Sequence, residues 1–232
     1  MTRRTVTSDE IMQQLEALAD PDVRKGQAHF GITAAKPLGI ALPKLRTLAK
    51  GVRDHDLAQQ LWATGIHEAR ILASMMDDPK LVTFEQMNAW VKDFDSWDVC
   101  DQVCDNLFCH TAFAVDAARD WVQHDEEFVR RAGFVMMTML SWKRDDLPDE
   151  LFLEFLDTVR RYATDERNFV KKAVNWALRR IAKRNARLFE AAVTTAKELQ
   201  QSDSSTARWI ANDALREFAK SDKGKPESHD TE

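Results

Sequence analysis

Glycine and proline are scarce, seven and six in 232 residues, and only one tyrosine is present. Chains built from strands need turn residues every few positions and draw heavily on aromatic and β-branched side chains. That shortage, with apolar residues at helical spacing almost throughout, excludes a β protein and predicts an all-α chain. Also absent is any run of about eighteen apolar residues, and the two arginines of the opening "MTRRTVTSDE" have no apolar segment behind them. A membrane span and a secretory leader are therefore not expected, and the chain reads as a cytoplasmic protein. The three cysteines, Cys100, Cys104 and Cys109, are an odd number that fits reduced thiols rather than a disulfide framework. Together with His110 they match no zinc spacing, so no metal site is expected. No G-x-S-x-G elbow, P-loop or dinucleotide-binding glycine fingerprint occurs, which removes phosphoryl and hydride transfer from consideration.

Net charge is -5, which argues mildly against a general polyanion binder, because nucleic-acid affinity draws on phosphate neutralisation. The average hides its distribution. From Arg167 to Arg187 the chain carries Arg167, Lys171, Lys172, Arg179, Arg180, Lys183, Arg184 and Arg187 with no acid among them, and a shorter acid-free basic stretch runs from Lys36 to Arg53. Local basic stripes on an acidic protein suit a groove binder with a soluble exterior.

Helix starts are marked by capping-box patterns at Thr7 with Glu10 and Thr83 with Gln86, by Pro43 at a first helical position, and by Ser96 as a cap. Stops fall near Pro21, Gly51, Pro79 and Asn185. The end of the chain, "SDKGKPESHDTE", lacks apolar anchors, so a single domain over 1–221 is expected with a disordered tail over 222–232. Self-similarity is the stronger signal: "FVRRA" at Phe128–Ala132 returns as "FVKKA" at Phe169–Ala173, an offset of 41 residues, each time after an acidic turn and before an apolar helix. A weaker echo sets "EARILASMM" against "VRRAGFVMM" and places Arg70 opposite Arg131. Offsets near 40 with paired helices point to a HEAT-like helical-repeat solenoid whose concave channel takes an extended ligand.

The stretch "DSWDVCDQVCDNLF", Asp95 to Phe108, crowds carboxylates, cysteines and a tryptophan into a few helical turns. Advancing 100° per residue, Val99, Cys100, Val103 and Leu107 share an apolar arc of roughly 100°, while Trp97, Asp101, Cys104 and Phe108 cluster elsewhere. Two readings stay open there. First-turn carboxylates complement a helix dipole and Trp97 packs against the preceding repeat, or Trp97 and Asp101 form a functional pair on one face. In the later helix Val170, Ala173, Val174, Ala177 and Ile181 form the apolar arc, and Lys172, Trp176, Arg179 and Lys183 a stripe away from it. A tryptophan among cations is a platform for a sugar or base with flanking phosphate contacts, or else an inter-repeat packing residue beneath snorkelling cations. The run Met136 to Met139 reads as core filling.

"SWDVCD", then "FVRRA", then "FVKKAVNWALRR", in that order, resembles the bacterial DNA alkylation repair family, the AlkD-like alkylpurine DNA glycosylases built from HEAT-like repeats, over roughly residues 20–215. The resemblance implies a protein that binds double-stranded DNA containing alkylated purines in its concave channel. It implies hydrolysis of the N-glycosidic bond of cationic N3- and N7-alkylated purines, with no metal or organic cofactor. Carried over residue by residue, Asp101 would be the catalytic carboxylate, Trp97 and Trp176 the indoles against the damaged nucleotide, and Arg131 a phosphate contact. Lys172, Arg179, Lys183 and Arg70 would add DNA-binding charge to a monomer. The family's tyrosine near the N-terminal helices has no counterpart, since Tyr162 is the sole tyrosine and "RKGQAHFGI" holds no aromatic before Phe30. A non-catalytic HEAT-repeat module that binds DNA or a protein is the competing expectation. If Asp101 loses solvent beside Trp97, its pKa should rise.

Overall fold

A computed structural model describes residues 6–222, which form thirteen α-helices and one 3-10 turn, with no strand among the described residues. The chain divides into two compact units between Ala132 and Gly133. The first contains α1 (Ser8–Leu18), α2 (Pro21–His29), α3 (Leu42–Ala49), α4 (His55–Ala63), α5 (His67–Met76), α6 (Phe84–Lys92), α7 (Trp97–Asn106), the 3-10 turn Phe108–His110 and α8 (Ala114–Trp121). The division falls within α9 (Glu127–Lys143). The second unit continues with α10 (Asp149–Tyr162), α11 (Asn168–Ile181), α12 (Ala186–Gln200) and α13 (Ser205–Asp222). Residues 223–232 of the expected tail lie outside the described residues, and α13 occupies the chain up to Asp222.

Local chemistry explains most helix ends. Thr7 accepts from the Glu10 amide at 3.2 Å while Glu10 accepts from the Thr7 amide at 3.1 Å, so the first capping box is complete. Asp20, Asp54 and Asn185 cap α2, α4 and α12 in the same way through a side-chain oxygen. Three expected starts differ in detail. Thr83 accepts from the Gln86 amide, but the Gln86 side chain turns to Asp77 at 2.8 Å because a buried carboxylate is the better partner. Pro43 stands second in α3 rather than first. Ser96 occupies the cap position of α7, yet its hydroxyl donates to Asp98 at 2.8 Å instead of accepting from a backbone amide. The repeat holds its register: Phe128 and Phe169 are each the second residue of their helix, in α9 and α11.

In the first unit the core is built around indoles. Trp62 and Trp90 stack at 3.9 Å with planes 4° apart, and Phe108 lies 6.3 Å from Trp90 and 5.6 Å from Trp121. The polar tips are satisfied, Trp62 Nε1 by Asp93 at 2.9 Å and Trp121 Nε1 by Asn88 at 2.7 Å, so the rings are buried without stranding a donor. In the second unit Phe152, Phe155 and Val159 of α10 are buried, as are Val170, Ala173, Val174, Ala177 and Ile181, the arc expected for α11. Met136, Met137 and Met139 are buried too, as core filling requires.

Candidate functional site

Helix α7 departs from its expected faces in one respect. Val99, Cys100, Val103 and Leu107 are buried as predicted, but Cys104 and Phe108, placed on the other arc, are buried as well. Phe108 stands past the end of α7, in the 3-10 turn against Trp90 and Trp121, and for Cys104 the cause is a second neighbour. Cys100 and Cys104 lie along the first turns of α9, with their sulfurs 3.9 Å from the Phe128 carbonyl and 4.0 Å from the Ala132 carbonyl. Only Trp97 and Asp101 of that arc keep partial access to solvent.

The same packing brings Arg131 to Asp101. Arg131 Nε donates to Oδ1 at 3.1 Å and Nη2 to Oδ2 at 2.8 Å, a two-pronged contact in which the side chains keep 6% and 14% exposure. Burial pushes the Asp101 carboxyl up to about 6; the charge and hydrogen bonds of Arg131 oppose that rise, and Asp98 and Asp105 add to it. The rise expected from desolvation is therefore present, and the dominant cause is the expected one. Arg131 loses solvation by burial, but the adjacent carboxylate outweighs this and its pKa is raised, so it stays charged. A buried guanidinium engaged in this way is placed to hold a carboxylate; it is not presented as a surface phosphate contact.

Trp97 is half-buried, and its indole nitrogen donates to the Phe30 carbonyl at 3.1 Å. That bond is one of several that fasten the segment after α2. Asp95 accepts from the Ala35 amide at 3.0 Å, and the buried Glu68 carboxylate accepts from Leu38, Gly39 and Ile40 at 2.8, 2.7 and 3.1 Å. Gly39 has φ +82°, and a Cβ there would meet the Asp20 carbonyl at 2.2 Å, so only glycine fits this seat. Beside it His67 Nε2 contacts Asp98 at 2.9 Å. Burial works against protonation of His67, but the hydrogen bond and charge of Asp98, with Glu68 and Asp95, outweigh it and raise the pKa. The acidic crowd thus divides its labour: Asp95 and Asp98 hold structure, and Asp101 is held.

Arg70, expected as a DNA contact opposite Arg131, repeats the pattern. Its guanidinium donates to the Asp93 carbonyl at 2.8 Å, lies 3.2 Å from the Asp93 carboxylate and covers Trp62 at 5.1 Å.

In the second unit the expected stripe of α11 is partly neutralised. Arg179 contacts Glu217 at 2.5 Å and Asp213 at 3.7 Å, Lys183 contacts Glu217 at 2.6 Å, and Asn175 donates to Asp213 at 2.7 Å. Burial works against the ionised Glu217, but Lys183 and Arg179 outweigh it and hold its pKa down. These acids belong to α13, beyond the acid-free run, which is why the run alone overstates the charge. Lys172 is exposed and Trp176 half-buried, with no hydrogen bond or ion pair from either side chain among the described residues. Missing from the sequence reading is Trp142, 54% exposed, with the Arg180 guanidinium 4.8 Å from its ring centre. The available signal was spacing, since Arg180 stands one turn beyond Trp176.

Among the described residues no helix is long and apolar enough to cross a membrane. A family model described as DNA alkylation repair enzyme matches residues 11–222. One similar solved structure, reported as "A new family of proteins related to the HEAT-like repeat DNA glycosylases with affinity for branched DNA structures", has a TM-score of 0.76 and 23% identity. The match covers 92% of this chain and 96% of that one, and it carries the helical-repeat fold over. No curated protein matches the chain.

Proposed function

Because the chain belongs to the DNA alkylation repair enzyme family, we propose that it is a DNA glycosylase that releases cationic N3- and N7-alkylated purines from duplex DNA. The observation that carries this reading is Asp101: a carboxyl with a pKa of about 6, partly open to solvent beside Trp97 and held in one orientation by Arg131. An alkylated purine already bears positive charge and leaves without help from a general acid. What needs stabilising is the cation that develops at the sugar C1′. A fixed, poorly solvated carboxylate lowers that barrier electrostatically and orients the attacking water, so one acid suffices where glycoside hydrolysis usually employs two. The Trp97 face offers a negative quadrupole to the sugar beside Asp101, and in the second unit Trp176 and Lys172 offer an indole face and an uncommitted cation to a DNA backbone. Arg131 acts through Asp101 as a positioning residue. Arg179 and Lys183 join a phosphate by exchanging it for Glu217.

The test is release of N7-methylguanine or N3-methyladenine from methylated duplex DNA by the wild type and Asp101→Asn. The wild type should release base and the variant should lose roughly 10²–10³-fold in rate, the scale of deleting one transition-state electrostatic contact. Full activity in a folded variant refutes the assignment.

A second reading is favoured by one feature of the same site. Both oxygens of Asp101 already accept from Arg131, as in an ion pair that only holds a fold together. The chain would then be a non-catalytic DNA-binding module, in keeping with the affinity for branched DNA reported for the similar structure. Salt-sensitive binding of duplex or branched DNA with no base released would decide for it.

A further inference from the structure

Lys172, Trp176 and Arg180 follow one another at four-residue intervals on α11 and share a face. Arg180 differs from its basic neighbours in what holds it. Arg179 is taken by Glu217, and Arg184 donates to the carbonyls of Ser141, Arg144 and Leu147 at 3.2, 3.3 and 3.3 Å. The Arg180 guanidinium has no hydrogen bond or ion pair to a described residue: its Nε is buried without a partner, and the group lies over the ring of Trp142.

Trp142 lies in the last turn of α9 and leaves more than half of its surface in water. Such exposure forgoes the gain from burying a large apolar ring. Fraying does not explain it. Arg184 ties down the carbonyls of Ser141 and Arg144 at this helix end and itself covers Phe152 at 4.0 Å, so the indole is presented from a fastened end.

A guanidinium stacked on an indole keeps its edge donors in their own plane, where they match the two oxygens of a phosphate, while the indole offers apolar surface to the adjoining sugar or base. The geometry points to Trp142 and Arg180 as a phosphodiester-binding pair that extends the face of Lys172 and Trp176 and takes the backbone of a DNA strand. Phosphate is favoured as the occupant by the charge around it. Lys172 stands about two turns before Arg180 on α11, Arg184 follows just past the end of that helix, and the acids of α13 are spent on Arg179 and Lys183; the acid nearby is the fully exposed Asp145, 3.9 Å from Arg184. The inference rests on the DNA-binding part of the proposed function.

It is tested on the full-length protein with a fluorescently labelled duplex oligonucleotide, its affinity measured across a range of salt concentrations. Arg180→Gln should bind about 5–30-fold more weakly, and the slope of log affinity against log salt should fall by about 0.9, one phosphate's worth. Trp142→Ala should weaken binding with the slope unchanged, and Trp142→Phe should restore most of the loss by keeping a ring under the guanidinium. Circular dichroism confirms that each variant is folded, and either one alone tests the pair. If the wild type binds and both variants match it in affinity and slope, this inference falls while the proposed function stands. A wild type that neither binds DNA nor releases base from methylated duplex overturns both.

Discussion

Arg131 reaches Asp101 with two hydrogen bonds, 3.1 Å from Nε to Oδ1 and 2.8 Å from Nη2 to Oδ2, across an interval of 30 residues that joins the first turns of α9 to the middle of α7. The contact makes the carboxylate rigid and limits its solvation together, and its consequences can be measured separately.

Base release should fall as pH drops through about 6, because Asp101 takes up a proton there and a neutral carboxyl cannot stabilise a sugar cation. A pH–rate profile under single-turnover conditions reads this directly. An apparent pKa near the ordinary aspartate value would show that the group in control lies elsewhere.

Removing Arg131 should cost more than charge. Arg131→Ala leaves a buried carboxylate without its partner and is expected to destabilise the protein by about 3–5 kcal/mol, measurable by urea unfolding. Arg131→Lys keeps the charge but loses the fork, so it should retain more stability than the alanine variant while lowering the rate of base release at saturating protein. A lysine variant equal to wild type in both would remove the positioning role.

Glu217→Gln should tighten DNA binding several-fold, since Arg179 and Lys183 no longer have to leave a carboxylate to meet a phosphate. Lys172→Glu should weaken it, as that ammonium has no internal partner among the described residues. Gel retardation of the two variants side by side tests both signs, and a Glu217→Gln protein that binds no better would place this edge of α11 outside the DNA contact.

Stability near neutrality should depend on His67. Its pKa is raised in the folded state, so its contribution is complete below the ordinary value of 6.5 and is lost as pH rises through the higher folded value. The thermal midpoint of the wild type should therefore decline above pH 6.5 by more than that of His67→Gln. Parallel curves for the two proteins would mean that the ring does not titrate in this window.

Glu68→Ala should destabilise the fold by about 1–3 kcal/mol or more, because three backbone amides at Leu38, Gly39 and Ile40 lose a charged acceptor in a buried place. Hydrogen exchange should speed up at those amides first. Unchanged protection there would show that the segment is held by other contacts.

The helical class, the repeat and its register were legible in the sequence because they rest on local signals: apolar spacing, side chains that cap helices, and a five-residue echo at a fixed offset. The apolar arcs of α7 and α11 were legible for the same reason. What escaped was settled by partners distant in sequence. Cys104 is buried because α7 has more than one neighbour, and helical angles count faces without saying how many are covered; Phe108 is buried because the chain leaves α7 for the 3-10 turn and sets its ring against Trp90 and Trp121. Arg179 and Lys183 meet Glu217, 38 and 34 residues on, from a helix that begins after the acid-free run has ended. Arg70 and Arg131 were legible as basic positions, but no spacing rule reveals that each is engaged by an aspartate. Trp142 was passed over because its value depends on Arg180 across two helices.

Cys100, Cys104 and Cys109 are all completely buried, and two of them flank Asp101 on the same helix. Thiol reagents react only with what they can reach, so alkylation of Cys100 and Cys104 must wait for α7 to lift from its neighbours. The protein therefore carries its own stopwatch for the helix that bears the candidate carboxylate. Labelling rates at Cys100 and Cys104, followed by mass spectrometry with no introduced probe, report how often that helix opens and whether a bound DNA holds it shut.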